Sequence, residues 1–274
     1  MVIEVSRRPP GYETGESQKY HHFANGEWLQ IYKELPGELQ LSVFVNGQEL
    51  VTILCSPEKL NCLVTGYLYS EGLIRGLEDI AMMRICLDES LADVRLATGD
   101  IKLPAKKVLT SGCGGGISFR SEMDAVPVRS QRCVSASQVM ASALLLQQDP
   151  DKEAGNGRGR RGVHISALFE DDKIVARAVD IGRHNTLDKV IGECLLKKIP
   201  TEDSLLFTTG RISSEMLFKA AKMGVPVIAS LNSATQRAVQ LGCDLGITLI
   251  GYVTAHRLTV FCGEERIVNH DTSF

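Results

Sequence analysis

The C-terminal part of the chain alternates helix and strand in an order that leaves few folds open. From residue 184 the apolar spacing predicts a helix over roughly 184–197 and a buried strand at Leu205-Leu206-Phe207. A helix then opens at Ser213 or Ser214 and ends at Gly224, followed by a strand from Val225 to Ala229. A helix over 234–244 and a strand from Ile247 to Val253 complete the run. A βαβαβ succession of this kind implies parallel strands joined by right-handed crossovers, with helices on the faces of the sheet. The expected class is α/β.

The N-terminal half reads differently. Leu41, Val43 and Val45 alternate, Asn46-Gly47 supplies a turn and Leu50 to Cys55 returns, so residues 39–55 are expected to form a hairpin. Ser56-Pro57 has the chemistry of an N-cap and first helical residue, Leu60, Leu63, Val64, Tyr67 and Leu68 share one helical face, and Gly72 ends that helix. A strand pair is expected around 81–87 and 92–97. Ser135 caps a helix that carries Val139, Met140, Leu144 and Leu145, and a hairpin over 163–180 turns at Asp171-Asp172. Residues 1–26 are polar, with Pro9-Pro10-Gly11, and are expected to be a mobile arm. The stretch from Asp149 to Gly162, with Arg158, Arg160 and Arg161, is expected to be a solvated surface loop. The expected organisation is therefore an arm over 1–26, a smaller α+β portion over 27–134 and an α/β core over 135–274.

Composition narrows the function classes. The chain has 274 residues, 44% of them hydrophobic, which is enough to bury a sizeable core. A net charge of −3 gives no support for a nucleic-acid partner. No apolar run approaches the roughly 18 residues of a membrane span, and no signal segment opens the chain. A soluble cytoplasmic protein is expected. The eight cysteines are scattered, mostly within apolar runs such as Ile53-Leu54-Cys55 and Val260-Phe261-Cys262, which suits reduced thiols. No Cys-x-x-Cys spacing occurs, so a cysteine-rich zinc site is not expected. The zinc deaminase pattern, the P-loop and the nucleophile-elbow pattern are absent.

Chemistry concentrates in four loops. In Thr110-Ser111-Gly112-Cys113-Gly114-Gly115-Gly116 one thiol sits among four glycines. Glycine lets backbone N–H groups converge on one point, and such dipoles favour the thiolate. The other three are expected at the carboxyl ends of strands, where doubly wound sheets bind ligands. They are Asp180-Ile181-Gly182-Arg183-His184-Asn185-Thr186-Leu187-Asp188-Lys189, Thr208-Thr209-Gly210-Arg211-Ile212-Ser213-Ser214, and Tyr252-Val253-Thr254-Ala255-His256-Arg257. Helix N-termini with free N–H groups bind phosphate, and arginine adds a forked charge. Each loop also has a structural explanation: His184 and Asp188 pair along a helix, Ser213 is only a cap, and Arg257 is surface charge. Converging on one sheet edge, the three loops describe a pocket for a polyanion.

These residues resemble the FdhD family of formate dehydrogenase accessory proteins, from residue 39 onward. The resemblance rests on Ser70-Glu71-Gly72-Leu73-Ile74, the Cys113 loop, the Asp-x-Gly-Arg-His-x-x-x-Asp-Lys block of Asp180 to Lys189, and Gly210 to Met216 through to Val253. It implies a cytidine deaminase-like three-layer αβα sandwich with a smaller N-terminal α+β portion. It further implies a homodimeric sulfurtransferase that takes persulfide sulfur from a cysteine desulfurase. The sulfur passes to a molybdenum or tungsten bis(molybdopterin guanine dinucleotide) cofactor before that cofactor enters formate dehydrogenase. Cys113 aligns with the first cysteine of the family's Cys-x-x-Cys pair, the persulfide carrier. Tyr252, Val253, Thr254, Ala255, His256 and Arg257 align with its cofactor-binding segment, and His184 and Arg211 are expected beside it. GDP is then a simple mimic of the cargo. The second cysteine of the pair is Gly116 here. Either Cys113 carries the sulfur alone, or another thiol such as Cys133 serves, or the protein delivers the cofactor as a chaperone without moving sulfur.

Overall fold

Two large β-sheets organise the residues that the computed structural model describes, which are 2–5, 18–33, 35–97, 108–109, 117–118, 126–147 and 162–268. The first sheet belongs to the N-terminal half. In chain order come β1 (Val2–Val5), β2 (Gln18–Ala24), β3 (Glu27–Lys33), β4 (Leu39–Val45), β5 (Gln48–Cys55), α1 (Leu60–Ser70), β6 (Ile80–Cys86) and β7 (Leu91–Leu96). Five of the strands form a sheet in the order β1-β6-β7-β4-β5. Along β4, Leu39, Leu41, Val43 and Val45 point inward, as the alternation predicts. The β4–β5 turn places Asn46 and Gly47 at φ 50° and 82°, the left-handed conformations that a tight two-residue hairpin requires.

Two N-terminal expectations change. Within 1–26, expected to be a mobile arm, Val2–Val5 pairs in parallel with β6 and Gln18–Ala24 pairs with β3. Asn25 and Gly26 repeat the turn conformation of Asn46-Gly47. The hairpin escapes a hydrophobic reading because most of its side chains are exposed, Trp28 at 72% among them. The second change concerns Ser56-Pro57, which does not start the helix. Helix α1 begins at Leu60 behind Lys59, which is left-handed at φ 51°. Tertiary hydrogen bonds, described below, take the backbone groups of Ser56 instead.

The second half begins with β8 (Val108–Leu109) and β9 (Ile117–Ser118), paired antiparallel. Residues 110–116 between them, Cys113 included, lie outside the described residues, as does the 149–161 loop with its arginines. β10 (Val134–Ser135) leads into α2 (Ala136–Gln147), where the Ser135 hydroxyl accepts the Gln138 N–H at 3.0 Å as the expected cap. The buried stripe of α2 is Val139, Ser142, Ala143 and Leu146, whereas Leu144 is exposed. An unbroken Leu144-Leu145-Leu146 run carries no period by which to choose among its members.

The remaining elements are β11 (His164–Glu170), β12 (Lys173–Asp180), α3 (Arg183–Lys197), β13 (Leu205–Thr208), α4 (Ser214–Lys222), β14 (Val227–Ser230), α5 (Gln236–Leu245), β15 (Thr248–Gly251), β16 (Thr259–Cys262) and β17 (Ile267–Val268), the last paired with β10. Six of them form a sheet in the order β12-β11-β13-β14-β15-β16. β13, β14 and β15 are parallel, as the βαβαβ pattern predicts. β11 is antiparallel to both neighbours, so β12 runs with β13–β15. Leu187, Val190, Leu217 and Leu241 bring α3, α4 and α5 onto the face that carries Leu206, Ile228 and Leu249. Val139, Ala143 and Leu146 of α2 pack on the opposite face, against Phe207, Ala229 and Ile250.

Helix α1 joins the halves. It is buried on nearly every side, because Leu60, Leu63, Val64 and Leu68 lie on the five-stranded sheet while its other face meets α3. The α1–α3 contact is reciprocal and very close. A Cβ on Gly66 would lie 1.8 Å from the Asp188 carbonyl oxygen, and one on Gly192 would lie 1.9 Å from that of Cys62. Only glycine permits backbones this near.

Candidate functional site

Four strands, β12 to β15, deliver their carboxyl ends to the same edge of the six-stranded sheet, and α3, α4 and α5 each begin there. Side-chain oxygens cap two of these helices: the Ser213 hydroxyl accepts from Met216 N–H and the Thr235 hydroxyl from Ala238 N–H. Helix α3 has no side-chain cap at Gly182. The edge therefore gathers three helix N-termini, the positive ends of their dipoles.

Hydrogen bonds tie the loops to one another. Thr209 and Ile165 exchange bonds in both directions, the Ser230 hydroxyl donates to the Gly210 carbonyl at 2.7 Å, and Asn232 Nδ2 donates to the Thr209 carbonyl at 3.2 Å. Tyr252 N–H donates to the Asn232 carbonyl, and Val253 N–H to that of Ser230. The segments after β12 and β13 meet at Gly210, where a Cβ would sit 3.0 Å from Arg183 Cβ and 3.4 Å from His164 Nδ1. All three expected strand-end loops are thus contiguous. The loop after β14, Ser230 to Thr235, stands between two of them and was not anticipated. His164, at the start of β11, was also not anticipated. The rule that exposes strand ends would have found Ser230-Leu231-Asn232-Ser233, which lies between a predicted strand and a predicted helix.

The Asp180–Lys189 block splits into two roles. Asp180 is fully buried and accepts from the Ser56 N–H at 3.0 Å, the Gly182 N–H at 2.8 Å, Asn185 Nδ2 at 2.9 Å and Lys189 Nζ at 2.6 Å. Lys189, equally buried, also donates to the Ser56 carbonyl, and Asn185 donates to that of Leu54. Asp188 accepts from Ser70 at 2.8 Å and pairs with Lys219 at 2.6 Å, so it does not pair with His184. These four residues fasten the β5–α1 region to α3 and α4. Burial works against the charge on Lys219, but the carboxylates of Asp188, Glu215 and Glu71 outweigh it and hold the ammonium above its usual pKa.

Arg183 and His184, from the same block, belong to the loops. His184 Nε2 lies 3.3 Å from Glu215 Oε2 and 3.4 Å from Ser213 Oγ. Burial, reinforced by Lys219, Arg183 and His164, pushes its pKa down to about 3. The ring is therefore neutral, and donation to Glu215 puts its proton on Nε2 and leaves Nδ1 as an acceptor. His164 is pushed down as well, by burial and by Arg183.

Arg211 and Arg257 are exposed at this edge. The 252–257 segment is a tight turn: Thr254 N–H bonds the Arg257 carbonyl at 2.8 Å, and the Thr254 hydroxyl accepts from His256 and Arg257 N–H at 3.3 and 3.2 Å. Tyr252 is half exposed at φ 52°, a left-handed conformation uncommon for an aromatic residue, with its ring 6.0 Å from that of Phe261. Val253 is 1% exposed and packs with Ile250 in the core, while Ala255 and His256 face outward.

Residues 36–268 match the model of the FdhD/NarQ family. The chain belongs to this family. Curated FdhD/NarQ relatives described as sulfur carrier protein FdhD include that of Bacillus licheniformis, 39% identical over 256 residues, covering 92% of this chain and 96% of the relative. That of Bacillus subtilis is 38% identical, covering 89% and 94%. A crystal structure of a putative formate dehydrogenase accessory protein from Desulfotalea psychrophila superposes with a TM-score of 0.72 at 22% identity, over 92% of this chain and 99% of that one. The two-sheet arrangement described above is thus an FdhD/NarQ fold.

Proposed function

We propose that this protein is a sulfur carrier for formate dehydrogenase maturation, with Cys113 as the carrier thiol and the strand-end loops as the seat of its cargo. The observation that carries the reading is membership of the FdhD/NarQ family, with 39% identity to a named sulfur carrier over nearly the whole of both chains. The chemistry is thiol exchange. The Cys113 thiolate attacks the outer sulfur of a persulfide on a cysteine desulfurase. That S–S bond breaks, the sulfane sulfur moves to Cys113, and the desulfurase cysteine leaves as its thiol. The acceptor is a molybdenum or tungsten bis(molybdopterin guanine dinucleotide), which is substrate and not a resident cofactor.

Three helix N-termini with Arg183, Arg211 and Arg257 make an edge suited to the phosphates of that dinucleotide. The exposed Tyr252 ring offers a flat apolar face for a base. The neutral His184 places an acceptor beside them without adding charge. We further read the larger half as a cytidine deaminase-like three-layer sandwich, supported by α3–α5 on one face of the six-stranded sheet and α2 on the other. The protein would act in the cytoplasm as a homodimer.

Gly116, in place of the second cysteine, favours one other reading: a chaperone that delivers the cofactor without moving sulfur. Incubation with a cysteine desulfurase and cysteine, followed by mass spectrometry, separates the two. The carrier reading expects one added sulfur on Cys113. An unmodified Cys113 in a protein that still supports formate dehydrogenase selects the chaperone.

A further inference from the structure

The β2–β3 hairpin carries a group of exposed aromatic side chains that the cargo site does not use. Among the described residues its two strands pair with each other and with no other strand. A two-stranded ribbon of this kind is marginal in water unless something packs on it. Side chains alternate across the ribbon. Tyr20, Ala24 and Ile31 share one face and are partly buried. The other face holds three cross-strand pairs in order: Lys19 with Tyr32 at the base, His21 with Gln30 in the middle, and Phe23 with Trp28 beside the Asn25-Gly26 turn. All six are exposed, Phe23 at 56%, Trp28 at 72% and Tyr32 at 69%. The Phe23 and Trp28 rings lie 5.2 Å apart between centroids. The face is therefore aromatic at both ends and polar at its centre, with one cation, Lys19, at the base.

We propose that this face is the contact between two copies of the chain, stacked face to face about a two-fold axis that crosses the strands at the His21–Gln30 pair. The inference rests on the homodimeric reading above and gives that dimer its contact. A two-fold interface needs a patch that complements itself. Reversing the strands about the central pair lays Trp28 of one copy on Tyr32 of the other and Phe23 on Lys19, twice over. Every aromatic ring is then covered by a ring or by an ammonium, both of which bind an aromatic face. The polar centre meets itself, and two Gln30 amides can exchange hydrogen bonds on the axis. The reversed direction also sends the two bodies to opposite ends of the paired hairpins, where they do not collide. The area is sufficient. At these exposures the six rings bring about 800 Å² into the contact. With Lys19, His21 and Gln30 of both copies the total reaches about 1,200 Å², where stable interfaces begin. A lipid surface fits this face less well, because an anionic bilayer selects a basic surround. The hairpin sets Glu27 against Lys19 and Lys33, on a chain of net charge −3.

Trp28 is the single tryptophan of the chain, so its fluorescence reports on this face alone. The test follows the full-length wild type through a dilution series by sedimentation equilibrium, with tryptophan emission and acrylamide quenching read at each concentration. A dimer with blue-shifted, shielded emission is expected at high concentration. On dilution the emission should move to the red and quenching should rise, in step with dissociation. Gln30→Lys and Gln30→Glu each place a charge opposite its own copy on the axis. Each alone is expected to weaken self-association by about tenfold or more. An equimolar mixture of the two variants should associate again, because opposite charges then face each other. A wild type that stays monomeric throughout overturns the homodimeric reading and this contact together. The contact alone is overturned by a wild-type dimer whose Trp28 remains open to acrylamide, by shielding of Trp28 that persists in the monomer, or by charged variants that dimerise as the wild type does. The wild-type series decides the matter even if neither variant folds.

Discussion

Gly66→Ala and Gly192→Ala should destabilise the protein, although alanine is the better helix former. In an ordinary helix interior the exchange gains about 1 kcal/mol. Here the new methyl would lie 1.8 Å from the Asp188 carbonyl oxygen in one case and 1.9 Å from the Cys62 carbonyl oxygen in the other. Both obstacles are helix backbone, so no rotamer change relieves them. An ordinary contact needs roughly 3.4 Å or more, so α1 and α3 must separate locally by about 1.5 Å. Overpacking of this kind costs about 3 kcal/mol or more, and a gap of that width forfeits much of the attraction between the helices. Set against the propensity gain, the net loss is roughly 2 kcal/mol or more per site, a large part of the stability of an ordinary domain. Urea unfolding followed by circular dichroism reads this as a lower midpoint for each variant. A midpoint equal to or above the wild-type value would refute the close α1–α3 contact.

Three further outcomes are expected. Cys113→Ala should abolish support of formate dehydrogenase in a strain lacking the native factor while leaving the unfolding midpoint unchanged, because a truncated nucleophile is lost outright; full complementation would remove Cys113 as carrier. GDP should bind the wild type, and calorimetry should show Arg257→Ala weaker by about 1.5–3 kcal/mol, roughly ten- to a hundredfold, with Arg257→Lys only partly restored. Equal affinities would place the phosphate site elsewhere. Stability should fall with acid: His184 titrates near 6.5 when unfolded but near 3 when folded, so its contribution is complete above pH 6.5 and is lost as pH falls below that value. The loss is at most about 1.4 kcal/mol per pH unit for this residue, His164 adds the same sign, and His184→Gln should flatten the midpoint difference between about pH 7.5 and about pH 5.

The parts of this fold legible in the sequence were those carried by local periods. The βαβαβ run, the Asn46-Gly47 hairpin and the caps at Ser135 and Ser213 follow from spacing and turn chemistry, and each stands where expected. Contacts between distant residues were not legible. Ser56-Pro57 has the signature of a helix start, but its backbone is taken by Asp180 and Lys189, more than a hundred residues away. The His184–Asp188 spacing suggested a pair along the helix, yet the buried ammonium of Lys219 outcompetes so weak a contact. The strand-end loops were legible because strand ends follow from strand order. His164 was not, because its place at that edge depends on β11 running opposite to its neighbours.

The polar fastening of α1 to α3 also bears on how the chain is made. The first sheet and α1 leave the ribosome well before α3 and α4 have been synthesised. Until then the Gly66 face of α1 has no helix to meet, and the backbone of Ser56 has no carboxylate or ammonium to hold it. Asp180, Lys189, Asp188 and Lys219 then lose water together as the two halves close, since each charge needs its partner in place before it can be buried. Closure over such sequence separation is slow and cooperative. A nascent chain halted before residue 180 would present an apolar helix face to solvent, so the interval between synthesis of α1 and synthesis of α3 leaves that face open to association with other chains.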